Sequence, residues 1–194
     1  MNREIIQIGH PALKAKNNPV ENIRSKKIRQ LIQDLKNTLQ ENELIGIAAP
    51  QIAENFQIFV TEARNTSFRT LDKEDIFRVY INPRITWASY RFATIYEGCG
   101  SVLNGTLFGP VIRPCEIAIQ AENEKGRKFQ LTCDGILSRV IQHEYDHLHG
   151  IEFLEKVSNY KQLMTDIYYV QTIKNSKEQV SNSIITNIKH KLLK

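Results

Sequence analysis

The stretch Asp134-Gly135-Ile136-Leu137-Ser138-Arg139-Val140-Ile141-Gln142-His143-Glu144-Tyr145-Asp146-His147-Leu148 decides how the chain is read. Asp134 is an N-cap residue type, and Ile136, Leu137, Val140, Ile141 and Leu148 recur at helical spacing, so the segment is expected to be a buried helix. On that helix His143 and His147 lie four residues apart and share a face, which aims both imidazoles at one point. Glu144 follows the first histidine, close enough to reach a water on a metal without binding the metal itself. This is the HExxH pattern of metal-assisted hydrolysis, with the carboxylate as general base. A chance match on a polar helix face is the alternative. The apolar flanks argue against it, because two histidines and two acids in a core are costly without a partner such as a cation.

A catalytic site of this type needs a third protein ligand and one open position. The metzincin continuation would put histidine three residues after Gly150, where Phe153 stands, so that class is excluded. The remaining candidates are Glu178 and the three cysteines, Cys99, Cys115 and Cys133. Glu178 lies in a weakly patterned tail. Cys115 and Cys133 fall in or beside expected strands, where cysteine is ordinarily a small buried hydrophobe. Cys99 sits in Glu97-Gly98-Cys99-Gly100-Ser101, a Gly-flanked turn that can bring a thiolate near an ion.

Upstream of the helix, Cys115 to Ala121 and Lys128 to Thr132 read as a hairpin around Glu122-Asn123-Glu124-Lys125-Gly126. Segments around Phe56 to Val60 and Phe77 to Asn82 read as strands, with a polar surface loop from Glu62 to Asp75 between them. Ile28, Leu31, Ile32, Leu35 and Leu39 form the stripe of an amphipathic helix. The first 20 residues, with turn signals at Gly9-His10-Pro11 and Asn17-Asn18-Pro19, read as an extended arm. There is no regular βαβ alternation, so the fold class expected is α+β: antiparallel strands packed around a buried HExxH helix. Beyond Val157 the composition shifts to Lys, Asn, Ser and Gln. The chain is accordingly divided into a catalytic domain over 1–157 and an extension over 158–194, helical in part, ending in a frayed basic segment from Lys189 to Lys194.

Across 194 residues, 41% are hydrophobic and 24% charged, enough for a substantial core and too apolar for wholesale disorder. No apolar run approaches the roughly 20 residues of a membrane span, and the N-terminus shows no secretory h-region. Three cysteines with no CxxC argue against a disulfide scaffold and for a reducing, cytoplasmic setting. The net charge of +5 permits attraction to nucleic acid or an anionic surface. Among the other histidines, His10 reads as a turn residue, His149 points away from the ligand pair and His190 lies in the basic tail. Asp146 is read either as a partner orienting a ligand histidine or as an exposed helix-face acid.

Three segments, Gly46-Ile47-Ala48-Ala49-Pro50-Gln51, Glu97-Gly98-Cys99-Gly100-Ser101 and Gln142-His143-Glu144-Tyr145-Asp146-His147-Leu148, resemble the signature motifs of peptide deformylases, in the family's order and at about its spacing. The resemblance covers roughly residues 5 to 157. It implies removal of the N-formyl group from formyl-methionyl nascent peptides, with release of formate. Cys99, His143 and His147 would hold one metal with water in the fourth position, and Glu144 would act as base. Gln51 and the backbone N–H of Gly100 would face the formyl oxygen as an oxyanion-hole pair. Gly46, Leu44, Ile47 and Glu97 are expected to contact substrate, Gly46 by letting the peptide backbone approach closely, while Arg113 pairs with Glu97 to position the Cys99 loop. The family metal is usually Fe(2+), with Zn(2+), Ni(2+) or Co(2+) as substitutes. A ribosomal partner near the nascent-chain exit, reached through Lys189, Lys191 and Lys194, is a further expectation.

Two residues depart from the family pattern. Leu44 stands where the first motif normally begins with glycine, and Gly100 where a leucine-like residue usually follows the cysteine. Bulk moved from one cleft wall to the other would reconcile them. A metallo-amidase or peptidase of altered specificity, or a catalytically reduced relative that binds formyl-peptides or the ribosome, are the competing readings.

Overall fold

A computed structural model describes residues 2–193. The first long element, α1 (Lys26–Glu41), starts where Ser25 accepts a hydrogen bond from the Ile28 amide at 3.2 Å. Its stripe of Ile28, Leu31, Leu35 and Leu39 is buried against Ile47, Ile58 and Val60. Those partners come from β1 (Gly46–Ala48) and β2 (Ile58–Thr61), which pair antiparallel. The chain then forms β3 (Arg78–Ala88), β4 (Phe92–Gly98), β5 (Leu107–Pro114), β6 (Glu116–Glu122) and β7 (Lys128–Asp134) before entering α2 (Gly135–Leu148). The β6–β7 hairpin turns through Gly126 at φ +72°, as its sequence predicts.

Downstream come β8 (Met164–Thr165), α3 (Asp166–Thr172), α4 (Lys177–Ser183) and β9 (Ile188–Leu192). Two antiparallel sheets result, one in the order β1-β2-β3-β6-β7-β9 and one in the order β4-β5-β8. The α2 helix buries Ile136, Leu137, Val140 and Ile141 with Phe59, Tyr80 and Leu131 of the larger sheet, which is the α+β arrangement expected. Among the described residues no helix is long and apolar enough to cross a membrane.

The β4–β5 hairpin was not anticipated, since Gly109, Pro110 and Pro114 interrupt its second strand. The basic end differs too: residues 188–192 are not frayed but pair with β7 as a sixth strand, from Ile188↔Cys133 to Leu192↔Phe129. Lys194 lies outside the described residues. Asp134 occupies the N-cap position of α2 but makes no side-chain capping bond. Its carboxylate instead accepts hydrogen bonds from the Thr186 amide at 2.8 Å, the Asn187 amide at 2.9 Å and the Thr186 hydroxyl. Gly135 follows at φ +58°, and a Cβ there would meet the Ile184 carbonyl oxygen at 2.2 Å. The start of the helix is thus the dock for the tail, which is why a glycine follows the acid.

Candidate metal centre and substrate cleft

Two elements that share no hydrogen-bond ladder meet at the site. Strand β4 ends at Gly98 and delivers Cys99, while α2 delivers His143 and His147. Their ligand atoms lie within 4.8 Å of one another, and Cys99 Sγ is 3.2 Å from His147 Nε2. All three side chains are buried. Among the described residues this is the one group of three or more such side chains that could hold a metal ion.

The His143 ring is fixed from behind, its Nδ1 lying 3.0 Å from Glu97 Oε2, which leaves Nε2 for the site. Glu97 is itself held on every side. Arg113 approaches it in a bidentate fork, at 2.8 Å from Nε to Oε1 and 3.0 Å from Nη2 to Oε2. Arg139 donates to Oε1 at 3.1 Å and also to the carbonyls of Val111 and Ala93. The remaining arm of Arg113 donates to Asp146 Oδ2 at 2.6 Å. Burial pushes the Glu97 carboxyl up, but Arg113 and His143 outweigh it and hold it well below the usual carboxylate range.

The donor set fits a cation. Burial and the neighbouring His143 push His147 well down, toward the neutral form that can bind a metal; burial also opposes charge on His143, yet hydrogen bonds to Cys99 and Glu97 raise it well above an ordinary imidazole. One thiolate and two imidazoles are ligands for Zn(2+) and Fe(2+). Beside them Glu144 Oε2 is buried with no hydrogen-bond partner among the described residues, an arrangement that calls for a further ligand. Burial pushes the Glu144 carboxyl up to about 7, only partly offset by His143. Its pKa therefore suits a group that accepts and returns a proton near neutrality.

A cleft of about 250 Å³ opens onto this group, lined by Leu44, Gly46, Gln51, Gly100, His143 and Glu144. Gln51 is buried, its Oε1 accepting from the Ala48 amide at 2.8 Å, while its Nε2 is directed to Cys99 Sγ at 3.5 Å and Ser101 Oγ at 3.3 Å. Gly46 has a reason beside the one expected. A Cβ there would lie 2.6 Å from Glu144 Oε1 and 2.9 Å from Val140 Cγ1, so the missing side chain makes room for Glu144. Ile47, expected to touch substrate, is fully buried in the α1 cluster, because alternation along β1 turns its side chain to the core. Glu97 reaches the cleft wall with both oxygens already engaged, so it serves the histidine and not the substrate. Leu44 and Gly100 do face each other: a Cβ on Gly100 would be 3.8 Å from Leu44 Cδ1 and 3.5 Å from Ile5 Cδ1.

The remaining candidates lie elsewhere. Cys133 is buried, with its thiol pushed up by burial, and Cys115 is half-buried. Glu178 is exposed on α4 and His190 on β9. His10 accepts from the Ala12 amide at 3.2 Å as a turn cap, and His149 Nδ1 lies 2.8 Å from the Tyr145 carbonyl oxygen. Sequence reasoning missed Arg139 and Ser101. It left Asp146 undecided, and Asp146 holds Arg113 and touches no histidine nitrogen.

The polypeptide deformylase family model matches residues 2–163. Peptide deformylase 2 of Clostridium perfringens is 38% identical over 162 residues, covering 84% of this chain and 97% of that protein. The peptide deformylase of Treponema pallidum is 34% identical over 154 residues, covering 79% of this chain and 87% of that protein. Among solved structures, the class I type b peptide deformylase from Acinetobacter baumannii bound to Met-Ala-Ser matches with a TM-score of 0.77 at 28% identity, over 81% of this chain and 99% of that one. With three signature motifs converging on one cleft and a family match over most of its length, the chain belongs to the polypeptide deformylase family.

Proposed function

We propose that the chain deformylates formyl-methionyl peptides at the Cys99–His143–His147 centre, releasing formate. The observation that carries this reading is the convergence of those three ligand atoms within 4.8 Å, beside a buried Glu144 oxygen that lacks a partner. A divalent ion bound there supplies Lewis-acid polarisation and a nucleophilic water at neutral pH. Glu144 takes a proton from the attacking water and returns it to the departing amine as the bond from formyl carbon to nitrogen breaks. The Gln51 amide and the Gly100 N–H donate to the formyl oxygen as negative charge develops on it. Glu97, fixed by Arg113 and Arg139, positions His143 and its tautomer.

Fe(2+) is the proposed ion, with Zn(2+), Ni(2+) or Co(2+) able to occupy the same donors. The peptide-bound relative from Acinetobacter baumannii supports placing the methionyl peptide in the cleft. Residues 1–157 are proposed as the catalytic unit and 158–194 as an extension seated on both sheets through β8 and β9. A cytoplasmic setting and a ribosomal contact through the exposed Lys189 and Lys191 complete the proposal. A narrowed peptide range is the second reading, favoured by Leu44 on the cleft wall.

The test is steady-state turnover of a formylated and an unformylated Met-Ala-Ser peptide by anaerobically purified protein of measured metal content, with Glu144→Gln alongside. Turnover of the formylated peptide alone, lost by about 10²–10⁴-fold in the metal-loaded Glu144→Gln variant, is expected. Binding without turnover by the metal-loaded wild type would make the chain a non-catalytic relative.

A further inference from the structure

Part of the cleft lining is built by segments outside the three motifs. The loop between β2 and β3 brings Phe68 and Arg69, and α3 brings Asp166, Tyr169 and Val170. The α3 helix begins beyond residue 163, where the family match ends. The α3 side of this lining therefore lies beyond the family match, and Phe68 and Arg69 lie within it.

Arg69 stands apart in this lining. The residue is half-buried, and it lines both the cleft and a smaller cavity of about 110 Å³ behind it. Among the described residues, its guanidinium makes no hydrogen bond or ion pair. Of the acids that share the cleft, Glu144 stands with the metal-binding group, and the other three are hydrogen-bonded to groups other than Arg69. Glu97 is taken by two guanidiniums and an imidazole, Glu43 accepts from the Ser67 amide and hydroxyl, and Asp166 accepts from the Ile167 amide. Burial pushes the Arg69 pKa down, with only Tyr169 and Glu97 opposing the shift. A guanidinium nevertheless stays charged, so Arg69 places in the cleft wall a positive charge that is partly withdrawn from water and has no ion-pair partner among the described residues.

The backbone that carries Arg69 is held in place. Thr66 and Arg69 exchange backbone hydrogen bonds at 2.9 and 3.2 Å, closing a tight turn. Glu43 anchors the turn through Ser67, and the Asn65 side chain receives the Leu71 amide at 2.6 Å. Binding there needs no ordering of the backbone, and the planar fork of a guanidinium suits a planar, doubly accepting anion.

We propose that Arg69 binds a carboxylate of the formylated chain downstream of its formyl-methionine, an Asp or Glu side chain, and so makes the enzyme selective for acidic N-terminal sequences. The proposal rests on the deformylation reading. It adds a substrate preference to that reading, set by a residue outside the three motifs.

The experiment uses metal-loaded full-length enzyme and C-terminally amidated formyl-Met peptides. Asp, Ala or Lys is placed in turn at each of the three following positions, and kcat/KM is measured. The wild type should prefer Asp over Ala at one position by about tenfold, the size of a charge-assisted hydrogen bond. The preference should lie mainly in KM and shrink as salt is raised. Arg69→Met should bring the Asp-to-Ala ratio to about one, and Arg69→Glu should shift the preference to Lys. A wild-type ratio near one at all three positions, a ratio that survives Arg69→Met, or an equal fall for all peptides in both variants would overturn the proposal. A preference seen only with free-acid peptides would also overturn it, since the arginine would then read a chain end. Failure of the wild type to turn over the Ala peptide would instead count against the deformylation reading.

Discussion

Gly46→Ala separates two reasons for a glycine in the first motif. The added Cβ would lie 2.6 Å from Glu144 Oε1, against an ordinary contact distance of about 3.5 Å, so roughly 0.9 Å must be recovered. Gly46 cannot supply it easily, because β1 is paired in register with β2, Gly46 opposite Thr61. Val140 Cγ1, 2.9 Å away, belongs to the buried face of α2. The group free to move is the end of Glu144, which then leaves the position where its proton transfers occur. An overpacked core costs about 1–3 kcal/mol in stability, little enough for most domains to remain folded. A displacement of about 1 Å in a catalytic group costs about 10²-fold in rate. The expected result is a kcat lowered by about 10²-fold or more on formyl-Met-Ala-Ser, with KM nearly unchanged and metal content retained, since no ligand is touched. Gly100→Ala gauges the effect of a methyl group in the cleft without the collision, its nearest neighbour being Ile5 Cδ1 at 3.5 Å, and its fall should be far smaller. If Gly46 serves the approach of the peptide backbone instead, Gly46→Ala will raise KM and spare kcat. That outcome, or metal lost in step with activity, would refute the reasoning.

Cys99→Ala should abolish stoichiometric metal by elemental analysis, whereas Cys133→Ala, a buried thiol outside the cluster, should retain it. Glu97→Gln leaves the buried Arg139 without a carboxylate and Arg113 with Asp146 alone, and should lose about 3–5 kcal/mol in urea denaturation at pH 7. Because the folded Glu97 carboxyl is held below its unfolded value of about 4.3, its contribution is full above that pH and is lost as pH falls through the folded pKa. The gap between wild type and Glu97→Gln should therefore narrow in strong acid, and a constant gap would contradict the ion network. Leu44→Gly should broaden the range of peptides used without altering metal content, and its combination with Gly100→Leu should be non-additive in ΔΔG‡, given their 3.8 Å approach. Lys189→Glu with Lys191→Glu should weaken ribosome cosedimentation at low salt; an unchanged pellet fraction would leave β9 a structural strand.

The sequence made α2 legible because its apolar residues keep helical period and its two histidines sit four apart. The α1 stripe and the β6–β7 hairpin were legible for similar reasons, each having one buried face and a local stop signal. Strand β9 was not. Four of its five residues are exposed, so it has no alternation to read, and it is held by backbone bonds to β7 that no side-chain pattern announces. Strand β5 was hidden by Gly109, Pro110 and Pro114, residues that usually mark a turn. Arg139 fell in an apolar run, where an arginine reads as a solvent-facing interruption. Its role needs the carboxylate of Glu97, 42 residues upstream in sequence, which only the folded chain brings to it.

The ion network around Glu97 also explains why a thiol and two imidazoles from separate elements can form one site. Cys99 belongs to the end of β4, His143 and His147 belong to α2, and no backbone ladder joins the two. The junction is made by Glu97, two residues before the cysteine, which reaches across to His143 at 3.0 Å. Arg139 comes from the same helix as the histidines and binds Glu97 at 3.1 Å while holding carbonyls of both β4 and β5. Arg113 of β5 closes the loop by binding Glu97 and then Asp146, which lies on α2 between His143 and His147 in sequence. The ties that Glu97, Arg113, Arg139 and Asp146 make between the hairpin and the helix are thus charged and directional. A well-packed apolar contact of equal area would be as stable or more so, because buried ion pairs seldom exceed their desolvation cost. An apolar contact would, however, let the hairpin slide along the helix by fractions of an ångström. Bidentate and triply anchored guanidiniums resist that sliding, and metal ligands tolerate only a few tenths of an ångström of error. The buried charges are therefore better understood as fixing the distance from thiol to imidazole than as adding stability.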